Sequence, residues 1–431
     1  MSVSTTRYAS VIDLGFGDSG KGLFVDALTR RWRAHTVARF SGGAQAGHNV
    51  VSGKQHHTFS QFGAGTLVPG TCTLLLAPFV LHPTALLVEA EVLARAGVSD
   101  ALSRLSIDAR CRVTTPYHQA AGRLREILRG VNAHGTCGVG VGETVRHSLH
   151  HPSQTLSYAD LLMPQGAVLD KLHAQRETLL AELEGGGGDE VNVLRDESLA
   201  LRWWQSARAL ARQCPPRDSE SVTQLLQQPG AVIFEGAQGI LLDEWRGFHP
   251  HTTWSSTTPE ALEAALATLS IDVPVEHYGV LRTYLTRHGA GPLPTNDATL
   301  DAQLPEPHNH AKGWQGYFRR GHPDAVLLRY SLACAPNLSG LLVSHLDVFN
   351  RGMSLKWCES YESVSTLPLG TLGDFEHQSH LTRHLFAARP IYHEATIRSE
   401  RDYLEQLASI TRLPVLLRSF GNTAEHVHGT A

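Results

Sequence analysis

Short apolar runs and longer amphipathic stretches alternate along the chain. Apolar runs at residues 11–14, 36–40, 73–77, 231–234, 279–284, 340–344 and 415–417 predict buried strands. Apolar residues recurring every three or four positions over 23–31, 83–95, 119–128, 169–183 and 259–269 predict helices between them. Strands alternating with helices predict an α/β fold, with a large, mostly parallel central sheet flanked by helices. Residues 184–189 contain four consecutive glycines and predict a flexible surface loop. Strands resume beyond it, so it reads as an insertion and not as a domain boundary. There is no internal repeat and no long low-complexity tract. Residues 1–431 are therefore expected to form one catalytic domain with helical and loop insertions.

Composition narrows the class. A chain of 431 residues can bury a large core. The formal net charge of -4 gives no reason to expect a nucleic-acid partner. No apolar run is long enough to span a membrane, and residues 1–9 lack an apolar signal core. The six cysteines are scattered without a C-x-x-C pair, which argues against a zinc site or a disulfide framework. A cytoplasmic, reduced enzyme is expected. Among the 25 histidines, His56-His57, His150-His151 and His308/His310 are the pairs placed to hold a metal, although surface and polar-network roles are commoner.

The first predicted strand runs into Gly15-Phe16-Gly17-Asp18-Ser19-Gly20-Lys21-Gly22, and a helix follows. Glycines let a backbone approach a phosphate, and amides at a helix start point at it. Lys21 can neutralise phosphate charge, and Asp18 can hold a metal or take a proton. Two motifs compete here. Gly15, Gly17 and Gly20 satisfy the dinucleotide fingerprint G-x-G-x-x-G, which wants an acid at the end of the second strand; that strand carries Arg39 and no acid. Gly15 to Gly20-Lys21 has P-loop spacing, but Gly22 stands where a magnesium-binding hydroxyl belongs.

Further polar, glycine-rich segments recur: 39–49 and 234–239, each after a predicted strand, then 135–142, the hydroxyl-rich 252–258, and 286–292. Ligands of open α/β sheets bind outside the carboxyl ends of the strands, so these segments predict one large composite site.

The order of these motifs resembles the adenylosuccinate synthetase family over nearly the whole chain. The family's W-G-D-E-G-K-G-K is Phe16-Gly17-Asp18-Ser19-Gly20-Lys21-Gly22-Leu23, and its G-G-x-N-A-G-H is Gly42-Gly43-Ala44-Gln45-Ala46-Gly47-His48. Its F-E-G-A-Q-G-x-L-L-D is intact at 234–243, its S-T-R-x-G-x-G-P-x-P-T nearly so at 285–295, and its K-L-D-V is His345-Leu346-Asp347-Val348. The resemblance implies a homodimeric carbon–nitrogen ligase of purine metabolism. It uses GTP and Mg2+ to phosphorylate the 6-oxo group of IMP, and the amine of aspartate then displaces that phosphate. It also implies roles for residues. Asp18 would be the base and, with the carbonyl of Gly47, a magnesium ligand. Lys21 and His48 would stabilise the transferring phosphoryl group, and Gln238 would contact the oxo edge of the acceptor. Nucleotide contacts would come from Gly17, Ser19, Gly20, Lys21, Gly22, Gly47, His48, His345, Asp347, Ser419 and Gly421. Acceptor contacts would come from Gln45, Thr136, Cys137, Gln238 and Thr253.

Departures from the family concentrate in the substrate pockets. Ser19 replaces a glutamate, Leu23 a lysine and Gln45 an asparagine; Cys137 and Val139 replace a hydroxyl and an arginine. The arginine lent across the family's dimer has no clear counterpart, since 146–153 offers only Arg146 and histidines. The aspartate-binding T-T-G-R-R-R-R is replaced by 308–320, where Arg319 and Arg320 could still grip a carboxylate. His345 replaces the lysine beside the guanine-reading Asp347, which leaves ATP possible as donor. A ligase with altered substrates is expected, with ordinary adenylosuccinate synthesis as the first alternative and a catalytically inactive nucleotide-binding regulator as the second. The viral-type branch that amidates a deoxyguanylate is a precedent for altered specificity. Its members are altered at the catalytic acid, and Asp18 is retained here.

Overall fold

The computed structural model describes residues 6–304, 306 and 314–430. Ten strands form one sheet: β1 Arg7–Asp13, β2 Thr36–Arg39, β3 Cys72–Leu75, β4 Leu105–Asp108, β5 Pro216–Arg217, β6 Ala231–Gly239, β7 Glu276–Arg282, β8 Leu338–Ser344, β9 Val415–Ser419 and β10 Val427–Gly429. Their order is β10-β9-β8-β7-β1-β6-β2-β3-β4-β5. Neighbours are parallel throughout except β9 with β10. All seven predicted strands lie in this sheet with shifted ends. The short strands β4, β5 and β10 carry too little apolar sequence to stand out.

Side chains alternate across the sheet, and the core divides accordingly. Ala9 and Val11 of β1, Ile233 of β6 and Val280 of β7 face one continuous apolar cluster. Helix Lys21–Trp32 contributes Leu23, Phe24, Val25, Ala27 and Leu28 to that cluster. On the other face, Ile12, Leu281, Leu341 and Val343 enter a second cluster with helix Ala325–Cys334, while Val232 and Phe234 pack with helix Pro259–Ala267 in a third.

The glycine-rich segment 184–189 joins helix Gln165–Glu182 to helix Asp189–Arg195, and a Cβ on Gly186 would lie 2.9 Å from Leu124. Helices Asp189–Arg195 and Ser198–Gln213 follow before the next strand. The third glycine-rich segment, read from sequence as a loop up to residue 142, becomes helix Val141–His150 from Val141 onward, capped by Gly140 at φ 87°. Among the described residues no helix is long and apolar enough to cross a membrane.

Candidate active site

The phosphate loop is organised by a residue at the end of β1. The buried Asp13 carboxylate accepts from the Gly15 amide at 2.8 Å, the Ser19 amide at 3.1 Å and the Ser19 hydroxyl at 2.9 Å. It also pairs with Lys21 Nζ at 3.0 Å, both side chains being buried. Sequence reasoning passed over Asp13 because it reads as part of the strand. The Ser19 hydroxyl is thus turned into the protein, whereas Gly17, Asp18, Gly20, Lys21 and Gly22 line a cavity of about 1860 Å³. That volume exceeds the ~300–1,000 Å³ of a single small-molecule pocket and suits several substrates at once. Gly22 explains the missing P-loop hydroxyl: a Cβ there would lie 2.9 Å from the Asn49 carbonyl and 3.0 Å from His48 Cβ. The helix start is pressed against the hairpin His48–Ser52/Gln55–Phe59, leaving no room for a side chain.

Asp18 has a left-handed backbone, φ 58°, and its side chain is one-third exposed. Its carboxylate lies 3.3 Å from His288 Nε2, and Arg282 donates to its carbonyl at 3.0 Å. Burial alone would raise the Asp18 carboxyl, but the hydrogen bond and charge of His288, with Lys21 and Arg282, outweigh it and hold the group below the usual carboxylate range. Gln238 and His345 are also left-handed, at φ 49° and 60°, and both line the cavity. Strained backbone of this kind collects at functional sites.

His48 faces the same space. Its Nδ1 is hydrogen-bonded to Glu235 of β6, and its Nε2 is buried without a partner. Burial lowers His48 to about 4, with Glu235 pulling the other way and Arg39 adding to the fall. Glu235 also accepts from the Ala64 amide at 2.9 Å, and His48 and Arg39 outweigh its burial to keep it ionised. Arg39, where a dinucleotide-binding protein needs an acid, donates to the carbonyls of Ala46 at 3.1 Å and Phe62 at 3.2 Å and so secures the loop before His48. Gln45 Oε1 and Gln238 Oε1 are likewise buried and unpartnered. Gly47, Thr136, Cys137 and Thr253 line the cavity beside them. Cys137 accepts from Gln315 at 2.8 Å, and burial pushes its thiol up to about 11.

At the wall beside the Asp18 loop, where the Ser344 hydroxyl donates to the Ser19 carbonyl at 2.7 Å, Asp347 pairs with Arg351 at 2.8 Å, and His345 bonds the Ser344 hydroxyl at 2.8 Å. Burial, with Arg282 and Arg351, holds His345 well below its usual range. Gly421 lines the cavity; the Ser419 hydroxyl is turned onto the Gly421 carbonyl at 2.6 Å. Arg319 and Arg320 do not join this wall. Arg319 donates to the Gly289 and Gly291 carbonyls beside a smaller cavity, and Arg320 to the Phe318 carbonyl at 3.0 Å. His308 and His310 lie outside the described residues.

Most cations of the main cavity are occupied. Arg110 pairs with Asp108, Arg129 with Glu126, and Arg282 with Glu306. Arg125 and Arg146 share Glu143 and Glu182. Arg287 donates to the Pro292 and His251 carbonyls. Among the described residues no three metal-ligating side chains gather.

The fold and this cavity define an α/β protein with a glycine-rich loop at the centre of a mostly parallel sheet, facing one large cavity. The family profile described as adenylosuccinate synthetase matches residues 10–430, and the chain belongs to that family of carbon–nitrogen ligases. It is 31% identical over 433 residues to an adenylosuccinate synthetase of Bordetella avium, covering 95% of each chain. It is 31% identical over 437 residues to one from a Marinomonas species, covering 96% of each. Among solved structures, the fully ligated adenylosuccinate synthetase of Plasmodium falciparum superposes with a TM-score of 0.79 at 18% identity, over 99% of this chain and 100% of that one. The succinoaminodeoxyadenylate synthetase of cyanophage S-2L, bound to dGMP and to dATP as energy donor, gives 0.63 at 16% identity, over 99% and 96%. At such identities these two likenesses speak for the fold alone.

Proposed function

We propose that the protein phosphorylates an oxo group of a purine-like acceptor with a nucleoside triphosphate and replaces that phosphate with the amine of aspartate or a related amino acid. Its acceptor and donor recognition would be altered from IMP and aspartate. The observation that carries the reading is the convergence of Asp18, Lys21, His48, Gln45 and Gln238 on one cavity, where His48 Nε2 and both glutamine oxygens are unpartnered.

In this reading Asp18, held ionised, removes the ring proton of the acceptor, and the oxo oxygen attacks the γ-phosphorus while the nucleoside diphosphate leaves. Lys21 and His48 meet the charge on the transferring group, the Glu235 carboxylate favouring an imidazolium as that charge arrives. Asp18 and the Gly47 carbonyl, which both line the cavity, would hold Mg2+, which would neutralise phosphate charge. The amine then attacks the activated carbon and phosphate departs. Asp347 favours GTP, since a carboxylate can accept from guanine N1–H and its amino group, whereas adenine offers no such pair. Altered recognition is supported by Cys137 and Val139 in the third glycine-rich segment, by the engagement of Arg146 with Glu143 and Glu182, and by the turning of Arg319 and Arg320 onto backbone carbonyls. A cytoplasmic homodimer belongs to the same proposal.

Ordinary adenylosuccinate synthesis is the second reading, favoured by 31% identity over 95% of both chains to a protein of that name. Phosphate release from GTP or ATP, with IMP, dGMP and aspartate added singly and together, tests both. Release needing an oxopurine and an amino acid is expected. Ordinary turnover with a low KM for IMP restores the second reading, and no acceptor-dependent release with any combination removes both.

A further inference from the structure

Among the described residues, His288 is the one side chain that pairs with the Asp18 carboxylate. Lys21, three positions on, is drawn instead to Asp13 at 3.0 Å. The imidazole comes from strand Leu285–His288, which pairs antiparallel with Phe318–Gly321 and sets His288 opposite Phe318. Their ring centroids lie 4.6 Å apart, so an aromatic ring braces the imidazole. The same stretch of chain reaches the loop twice more. Arg282 donates to the Asp18 carbonyl at 3.0 Å, and the Thr286 hydroxyl lies 3.5 Å from the Gly17 carbonyl. Residues 282–288 therefore hold the backbone of the loop and the side chain of its acid together.

The imidazole sits here at a cost. A carboxylate only accepts, so the contact puts a proton on Nε2. Nδ1 is buried and has no partner among the described residues, whether it carries a proton or a lone pair. An unsatisfied buried polar atom is destabilising, and an aliphatic side chain would leave none. What offsets that cost lies at Nε2. His288 also stands at the unspecified position of the S-T-R-x-G pattern, so the family carries no role over to it. We propose that His288 is a positioning residue: it holds one oxygen of the Asp18 carboxylate so that the other is presented to the ring N–H of the acceptor. Asp18 is one-third exposed and lines the cavity, so an unheld carboxylate could turn to another rotamer, away from the acceptor. Misplacing a reacting group by about 1 Å can cost ~100-fold in rate. The inference rests on the ligase reading and adds to it the group that aims the base.

Steady-state turnover with GTP, aspartate and IMP or dGMP tests it, in the wild type, His288→Leu and His288→Gln. His288→Leu should lower kcat roughly 10- to 100-fold with little change in KM. It should keep or raise the melting temperature, because a buried unpaired nitrogen is removed. His288→Gln, which keeps an N–H donor at similar reach, should recover part of the loss. In an Asp18→Asn background His288→Leu should bring no further fall, since the carboxylate it aims is gone. Unchanged kcat in His288→Leu overturns the proposal. An equal fall in the Asp18→Asn background, or a fall matched by a lower melting temperature, does the same. The ligase reading is judged separately, by acceptor-dependent phosphate release in the wild type. If there is none, that reading falls, and crystal structures of the wild type and His288→Leu decide the placement alone. A carboxylate on His288 in the first and turned away in the second keeps the hold on Asp18; a carboxylate in one place in both overturns it.

Discussion

Asp13 and Asp18 sit five positions apart on one turn and carry different burdens. Asp13 is buried under Lys21 and the loop amides, while Asp18 opens to the cavity beside His288. Asp18→Asn should keep the left-handed backbone, which asparagine tolerates, and keep nucleotide binding, while turnover falls at least ~100-fold for loss of a general base. Single-turnover kinetics beside nucleotide calorimetry check this; near-normal turnover would remove Asp18 from the role of base. Asp13→Ala, by contrast, leaves an unpaired buried ammonium and should cost ~3–5 kcal/mol of stability, read by denaturant unfolding. That the loop carrying Asp18 and Lys21 faces the cavity was legible, since an acid and a lysine in a glycine-rich turn after a strand point to a ligand site. Asp13, Glu235, Arg282 and His288 were not. Asp13 reads as part of the strand, and each of the others acts through a partner that chain distance hides, as Arg282 does in reaching the Asp18 carbonyl across 264 positions.

At the scale of elements, close approach decides what the motif can contain. Gly22 departs from the P-loop because the hairpin carrying His48 lies against the helix start. Restoring the familiar hydroxyl with Gly22→Ser should therefore harm the protein. The added atoms must displace the Asn49 carbonyl or His48, at about 1–3 kcal/mol, and kcat should fall with His48 out of place. Thermal unfolding and steady-state turnover report the two effects, and a Gly22→Ser variant with raised activity would contradict the packing. Strands were legible as elements because each is a buried apolar run, whereas β4, β5 and helix Val141–His150 were missed. The first two are four and two residues long, and the helix begins in glycines that read as loop. The 308–320 segment, read as a carboxylate grip, offered a pair of arginines in sequence; which carbonyls they would satisfy depends on the neighbouring strand 285–288, and no local pattern encodes that.

Across the whole molecule, the carboxyl ends of eight strands contribute to one cavity, from Gly17 after β1 to Gly421 after β9. This much was legible, since polar glycine-rich segments after strands imply a composite site. Its acid–base behaviour was not, because burial is invisible in composition. Burial lowers His48 to about 4 and holds His118 and His345 well below the usual imidazole range. The unfolded chain then binds more protons than the folded one as pH drops below about 6.5. Stability from these groups is full above that pH and is lost toward each lowered value, at about 1.4 kcal/mol per pH unit for each histidine. The melting temperature should be level from pH 8 to 7 and fall between 6.5 and 5, before most carboxylates titrate. A flat profile across that window would mean that these imidazoles are not buried neutral.

The placement of β1 has a consequence for how the chain comes to exist. Its two sheet neighbours are β6 at residues 231–239 and β7 at 276–282, and β2 also pairs with β6. The phosphate loop therefore leaves the ribosome attached to a strand with no bonding partner on either edge, and it stays so while more than two hundred residues are made, on the order of tens of seconds at ordinary synthesis rates. A nascent chain released before residue 231 would carry the whole glycine-rich loop after β1 and neither of the strands that flank β1, leaving an aggregation-prone apolar strand for chaperones to shield until β6 arrives.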